Sequence, residues 1–159
     1  MNDEKNKERY KQMLVHACGG SPVIEGHAMG PKPKVFIIGD WPHNKDFITG
    51  IPFSGIMNDV LVRTIDTLHG KLGTEQEDCY TTYLVKSQPK GTLDSKWVET
   101  AWLDVARMEY AISGCDIIVA IGKVSKQYAN RIRIRPAEYG CKSPILERVG
   151  RAWQTLISG

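Results

Sequence analysis

No part of the 159-residue chain approaches the roughly 18 consecutive apolar residues that a membrane-spanning helix needs, which excludes that class of protein. The chain also lacks any C-x-x-C pair. Its four cysteines, Cys18, Cys79, Cys115 and Cys141, stand far apart, so neither a zinc knuckle nor a redox dithiol is indicated, and reduced thiols packed as small hydrophobes are expected. Strong charge of one sign is missing too: 21 basic against 18 acidic residues leave a net charge of +3, which permits nucleic-acid contact without demanding it. The N-terminus, MNDEKNKERYKQ, is charged and helix-forming and lacks the apolar core of a secretory signal, so a cytoplasmic location is expected. No internal repeat, low-complexity tract or linker divides the sequence. One domain over residues 1–159 is therefore expected, acting as a monomer.

What is present reads as alternating helix and strand. Asn2 to about Ala17 is rich in helix formers and sets Tyr10, Met13, Leu14 and Ala17 at spacings of three and four, as a docking helix would. Cys18-Gly19-Gly20-Ser21-Pro22 ends it, and the segment to Pro33 reads as loop, with His27 either reaching a site or simply solvated. Val35 to Ile38 is a continuous apolar run of strand length, the mark of a central strand covered on both faces. A polar loop follows, after which Ser54 is placed to cap a helix through about Leu68, with Ile56, Val60, Ile65 and Leu68 apolar and Gly70 as its stop.

Cys79 to Val85, rich in β-branched and aromatic residues, is a second strand, and it runs into a basic turn at Lys86. Asp94 or Ser95 then caps a helix from about Lys96 to Ile112, whose Trp97, Ala101, Val105, Met108 and Ile112 follow core spacing. Asp116 to Gly122 is a third buried strand, followed by a short helix from Lys123 to Asn130. Arg131-Ile132-Arg133-Ile134-Arg135 alternates like a strand with one charged face; a phosphate-contacting edge and a merely solvated edge both fit it. Gly150 to Ile157 reads as a final short strand or helix.

This alternation implies parallel strands joined by right-handed crossovers, hence an α/β fold: a three-layer α/β/α sandwich around a central, mostly parallel sheet of about four strands. In such sheets ligands sit beyond the carboxyl ends of strands. Asp40, Lys86 and Gly122 all fall there. In Val35 to Gly55, VFIIGDWPHNKDFITGIPFSG, a buried strand delivers the Asp40 carboxylate and a loop brings the Phe53 ring back near it, which suggests a pocket. Read from the residues alone, Asp40 is equally a helix cap or turn residue.

The ordered set Gly39-Asp40-x-Pro42, Gly50-x-Pro52-Phe53-x-Gly55, a strand ending in Lys86 with Pro89 three residues on, and a strand ending Val119-Ala120-Ile121-Gly122 resembles the uracil-DNA glycosylase superfamily. It is most similar to the compact bacterial and archaeal group with G-E-x-P-G followed by G-x-P-F-x-G, over roughly Val35 to Gln127. The resemblance implies that Asp40 positions or activates the attacking water and that Phe53 stacks on an extruded base. It further implies that Gly39, Trp41 and Pro42 line the base pocket, and that Lys86, Ser87 and Gln88 lie along the sugar-phosphate backbone. The partner implied is DNA, single- or double-stranded, with no metal and no cofactor.

Departures from that pattern bear on the chemistry. Uracil-cleaving relatives carry an Asn three residues before the strand-terminal Lys, where this chain has Tyr83, or Thr82 in a register shifted by one. A phenol offers one donor-acceptor group in place of an amide's separate donor and acceptor, so another base, or a ring that fills the pocket, is open. His43 stands at the motif's second Gly, as a polar pocket group or a surface turn residue. Iron-sulfur relatives pair N-terminal cysteines and place a Cys after the Lys; here Cys18 stands alone and Ser87 takes the other place, so no cluster is expected. The H-P-S motif of most relatives has no counterpart, since no His follows His69; Lys142-Ser143-Pro144 is the nearest remnant, with Lys142 a positive charge and Ser143 part of a phosphate clamp.

Three functions compete on these residues. The first is a glycosylase-like hydrolase acting on uracil or another modified pyrimidine in DNA. The second is a non-hydrolytic relative that binds DNA or recognises or processes a modified base, such as those viruses place in their DNA. The third is a nucleotide- or nucleoside-binding enzyme built on the same α/β architecture.

Overall fold

Strand β2 (Val35–Gly39) is buried at every position and lies in the middle of the sheet, as its unbroken apolar run predicts. A computed structural model describes residues 3–133 of the chain. In it β2 pairs in parallel with β3 (Cys79–Tyr83) on one side and β4 (Ile117–Ala120) on the other. The register sets Val35 beside both Cys79 and Ile117. The fourth strand, β1 (His27–Ala28), adds to the outer edge of β3 in antiparallel sense, giving the order β1-β3-β2-β4.

This short strand corrects the expectation that residues up to Pro33 are all loop. Two residues carry no readable alternation, and it is the open edge of β3 that recruits them: Met29 N–H donates to Cys79 O at 2.9 Å, and Ile24 N–H to Lys86 O at 2.9 Å. His27 is exposed on that edge.

The layers follow from chain direction. The path from β2 to β3 runs through α3 (Asn58–Leu72); the path from β3 passes back across β2 to β4 through α4 (Ser95–Trp97) and α5 (Leu103–Ser113). Right-handed crossovers in opposite directions place those helices on opposite faces, which makes a three-layer α/β/α sandwich. Side chains agree: Phe36 meets Tyr110 of α5 edge-on at 5.2 Å and stacks on Tyr80 at 5.3 Å, so alternate residues of β2 face the other layer. Helix α1 (Asp3–Cys18) packs on α5, and Trp97 Nε1 donates to Ala17 O at 3.3 Å. Helix α6 (Lys123–Ile132) packs against α5 and β4. Among the described residues no helix is long and apolar enough to cross a membrane.

Boundaries differ from the sequence-based expectation in three places. The helix expected from Lys96 to Ile112 is continuous but contains a π turn, Val98–Trp102, which turns Val98 and Trp102 into the core; Asp94 caps it, as expected, by accepting from Lys96 N at 3.0 Å. Ser54 does not cap α3, because its amide and hydroxyl are both engaged by Asp46 Oδ1 at 3.1 Å; the helix starts after Met57, leaves Ile56 75% exposed, includes Gly70 and stops at Gly73. The loop before it contains a six-residue helix, α2 (Asn44–Thr49), too short to show helical period.

Among the described residues the basic alternation after Asn130 is helical, not a strand. Arg131 and Ile132 close α6, whose buried positions Ser125, Tyr128, Ala129 and Ile132 keep helical spacing, and Arg133 follows directly. Ile134 and Arg135, with the expected element from Gly150 to Ile157, lie outside the described residues.

A buried ion pair joins the sheet to its helical layer. Lys86, just past β3, is fully buried, and its Nζ donates to Glu109 Oε1 of α5 at 2.6 Å, Thr82 Oγ1 at 2.6 Å and Tyr83 O at 2.7 Å. These three acceptors match the three donors of an ammonium. Glu109 Oε2 accepts from Tyr80 O–H at 2.7 Å, and Thr82 O–H donates to the same carboxylate. Removing one partner leaves a buried charge uncompensated, so Lys86→Met is expected to lower stability by about 3–5 kcal/mol in urea unfolding, with part of that recovered when Glu109→Leu is added.

Burial also sets thiol reactivity. It pushes the Cys79 thiol up to about 11 and the Cys115 thiol up to about 12. Both therefore stay protonated near neutral pH, and peptide mass spectrometry after iodoacetamide treatment is expected to find half-buried Cys18 alkylated while Cys79 and Cys115 react only once the chain unfolds.

Candidate functional site

The carboxyl ends of β2 and β4 build the site. Hydrogen bonding continues past the strands: Leu84 N–H donates to Gly39 O at 2.8 Å, Val85 N–H to Asp40 O at 3.0 Å, and Ile121 N–H to Ile38 O at 2.8 Å. Asp40 is thus fixed by β3 through its backbone while its side chain turns toward β4. There Oδ1 accepts from Ser125 N–H at 2.7 Å, and Ser125 Oγ ties back to Ile121 O at 2.8 Å. Asp40 Oδ2 receives no hydrogen bond from the described residues, which leaves one oxygen for a ligand or water. Gly122 makes this approach possible: its φ is +113°, and a Cβ there would stand 2.6–2.8 Å from the Asp40 carboxyl atoms.

The opposite wall is aromatic. Phe53 is buried, with its ring centroid 4.7 Å from that of Tyr83 and its edge over Gly39, where a Cβ would come within 2.8 Å of the ring. Its backbone lies in the left-handed region, φ +61°, a conformation that costs a non-glycine residue on the order of 1–3 kcal/mol. A buried network offsets this cost. Phe53 N–H donates to the Tyr83 hydroxyl at 2.9 Å, and that hydroxyl donates to Asp46 Oδ2 at 2.6 Å. Asp46, 1% exposed, also accepts from His43 N–H at 3.0 Å and from both Ser54 donors. Burial, reinforced by the Asp46 bond, pushes the Tyr83 hydroxyl well above its ordinary pKa, so it remains a donor.

Gly39, Asp40, Trp41, His43, Phe53 and Tyr83 therefore line one cavity of about 150 Å³. Met57, Ile121 and Gly122 complete its wall. Met57 carries no signal in sequence; Ile121 and Gly122 are visible there only as a strand end. Pro42 is buried but does not line the cavity. Thr82 is directed to Glu109 on the other face of the sheet, so it is Tyr83 that reaches the site. The Tyr83 contribution is its ring, because both functions of its hydroxyl are satisfied away from the cavity.

The expected backbone-contacting set divides. Lys86 and Ser87 are buried, at 0% and 1% exposure, and so are unable to reach a DNA strand; the Lys86 ammonium is instead held by Glu109. Gln88 is exposed and lines a separate groove with Asn44 and Phe47. Arg131 lines neither space; it is bonded to Glu99 Oε1 at 3.2 Å and set over the Tyr128 ring, and Arg133 caps the same helix. Lys142 and Ser143 fall outside the described residues. Among the described residues no group of three or more His, Cys, Asp or Glu side chains is placed to hold a metal. Asp46 escapes sequence reasoning altogether, since there it is one more acid in a polar loop.

Fold and site together define an α/β sandwich with a carboxylate and an aromatic ring facing one cavity at the carboxyl end of its central strand. The particular family is given by comparison. The family model of the uracil DNA glycosylase superfamily matches residues 27–156, and the chain belongs to that superfamily, whose members act on DNA. No curated protein matches the chain.

The network makes the wall testable. Tyr83→Phe removes a donor to buried Asp46 and the acceptor of Phe53 N–H while keeping the ring; thermal and urea unfolding are expected to show a loss of about 1–3 kcal/mol.

Proposed function

We propose that this protein is a DNA glycosylase-like hydrolase that removes uracil or another modified pyrimidine from DNA, acting as a single-domain monomer. The observation that carries this reading is the pairing of Asp40 and Phe53 across one cavity, in a chain of the uracil DNA glycosylase superfamily. The target base leaves its stack and enters the cavity, where the Phe53 ring takes the place of its lost neighbours. Asp40, held by Ser125 N–H through one oxygen, uses the other to orient a water and accept its proton as the water attacks the anomeric carbon. The glycosidic C–N bond breaks and its electron pair departs with the base. His43, which lines the cavity, is the residue we assign to hydrogen-bond that leaving base.

A second reading, a protein that holds a modified base in DNA without cutting it, is supported by Tyr83. Its hydroxyl is engaged by Asp46 and Phe53, so no side-chain amide reads the pyrimidine edge at that position.

The test uses oligonucleotides carrying uracil, hydroxymethyluracil, hypoxanthine or a mismatch, single- and double-stranded, scored for abasic sites by alkaline cleavage. Wild type is expected to release at least one of these bases, and Asp40→Asn to slow release by about 100- to 10,000-fold. DNA binding with no abasic sites from any substrate would favour the second reading, and full activity in Asp40→Asn would remove Asp40 from the chemistry.

A further inference from the structure

A groove of about 410 Å³ opens along α2, beginning at the residue that follows the last of the base cavity's lining residues before that helix. Consecutive residues divide the two spaces: His43 lines the cavity and Asn44 lines the groove, with Phe47 one turn further along α2. The far bank comes from Gln88, Pro89 and Lys90, after β3, and the end from Ser21 and Pro22, after α1. Three separate stretches of chain thus meet around a half-buried aromatic ring.

The chemistry of this lining is selective. Among the described residues it holds one cation and no carboxylate, a balance complementary to phosphate. The Asn44 and Gln88 amides make no hydrogen bond to any described residue, and Lys90 forms no ion pair among them, so each of these polar groups is open to a ligand. Phe47 offers a flat apolar face flanked by two prolines, and a base with an exposed π-face is the partner that such a ring accepts whatever its sequence. A groove of this size is also within the range of small-ligand sites, about 300–1,000 Å³.

We infer that this groove is a second nucleotide subsite: it receives an unpaired nucleotide of the same strand whose modified base occupies the Asp40–Phe53 cavity. The base stacks on Phe47, the Asn44 and Gln88 amides meet its edge, and Lys90 meets an adjoining phosphate. The distance suits this. His43 and Asn44 are adjacent, with Cα atoms about 3.8 Å apart, and a stacked strand advances about 3.4 Å per nucleotide, so the two subsites are a few nucleotides apart at most. Because a base inside a duplex already has its faces covered, the groove selects single-stranded or locally opened DNA. The inference rests on the proposed placement of a base in the cavity, but its test does not depend on cleavage.

That test measures, by fluorescence anisotropy, binding of a dye-labelled single-stranded oligonucleotide that contains only ordinary bases. Phe47→Ala is expected to weaken binding by about tenfold, within the range for loss of one base–aromatic stack, and Phe47→Tyr to restore it. Gln88→Ala and Lys90→Ala change exposed residues that leave the fold intact; the first is expected to weaken binding and the second to lower the salt slope by roughly 0.7, one phosphate contact. The matching duplex is expected to bind more weakly than the single strand.

Unchanged affinity in Phe47→Ala and Gln88→Ala, duplex binding as tight as single-strand binding, or no single-strand binding by wild type would each overturn the subsite. Phe47-dependent binding by a protein that frees no base from any substrate would defeat the glycosylase reading alone. Base release with KM unmoved by Phe47→Ala would defeat the subsite alone.

Discussion

The buried pair of Lys86 and Glu109 is the interaction on which the architecture turns. Two full charges in the interior are tolerated only when geometry and additional hydrogen bonds compensate their desolvation. Here the compensation comes from Thr82, the Tyr83 carbonyl and Tyr80, all in or beside β3. The pair therefore fixes the position of α5 on the sheet at the level where β3 ends. A shift of that helix along the sheet would separate the charges. The same turn of chain presents Tyr83 to the opposite face, so the placement of the cavity's aromatic wall is coupled to an ion pair that never touches the cavity.

The site adds a second, smaller version of the same device. Asp46 is also buried, but it is matched by amides and hydroxyls rather than by a cation. Its role is to hold the turn between α2 and α3 closed, with Phe53 kept in a backbone conformation that it would leave if released. Gly39 and Gly122 supply the converse, space without a side chain, so that a ring can settle on one strand end and a carboxylate can approach the other. Strain at Phe53 and absence of bulk at the glycines act together to shape a small cavity.

Much of the fold is legible in the sequence because central parallel strands announce themselves. Val35 to Ile38 and Ile117 to Ala120 are covered on both faces, and a strand so covered must be apolar at every position, which leaves an unbroken run in the sequence. Asp40 and Phe53 are legible for a different reason: one terminates such a strand and the other sits in a Gly-Pro turn at a recognisable separation. Lys86 misleads because a lysine at a strand end belongs in solvent by default, and the carboxylate that draws it inward lies 23 residues away on another element. Arg131 misleads because five alternating residues mimic a strand; the buried Tyr128 and Ser125 upstream reveal the helix. β1 and α2 are invisible because segments so short have no period, and only the open edge of β3 and the hydrogen bonds of Asp46 define them.

The inward turn of the Tyr83 hydroxyl has a consequence for discrimination. A site that hydrogen-bonds a substrate edge can reject an analogue by roughly 10,000-fold or more, because a mismatch strands a buried polar group; a site that offers ring surface distinguishes one methylene by only about 10- to 200-fold. On the aromatic side, where both polar functions of Tyr83 point away from the cavity, this protein belongs to the second kind. Under the proposed function, that wall would judge a base by its thickness and outline and be nearly blind to which of its edge atoms carry protons. Tolerance of chemically varied bases of similar shape would then be built into the wall itself.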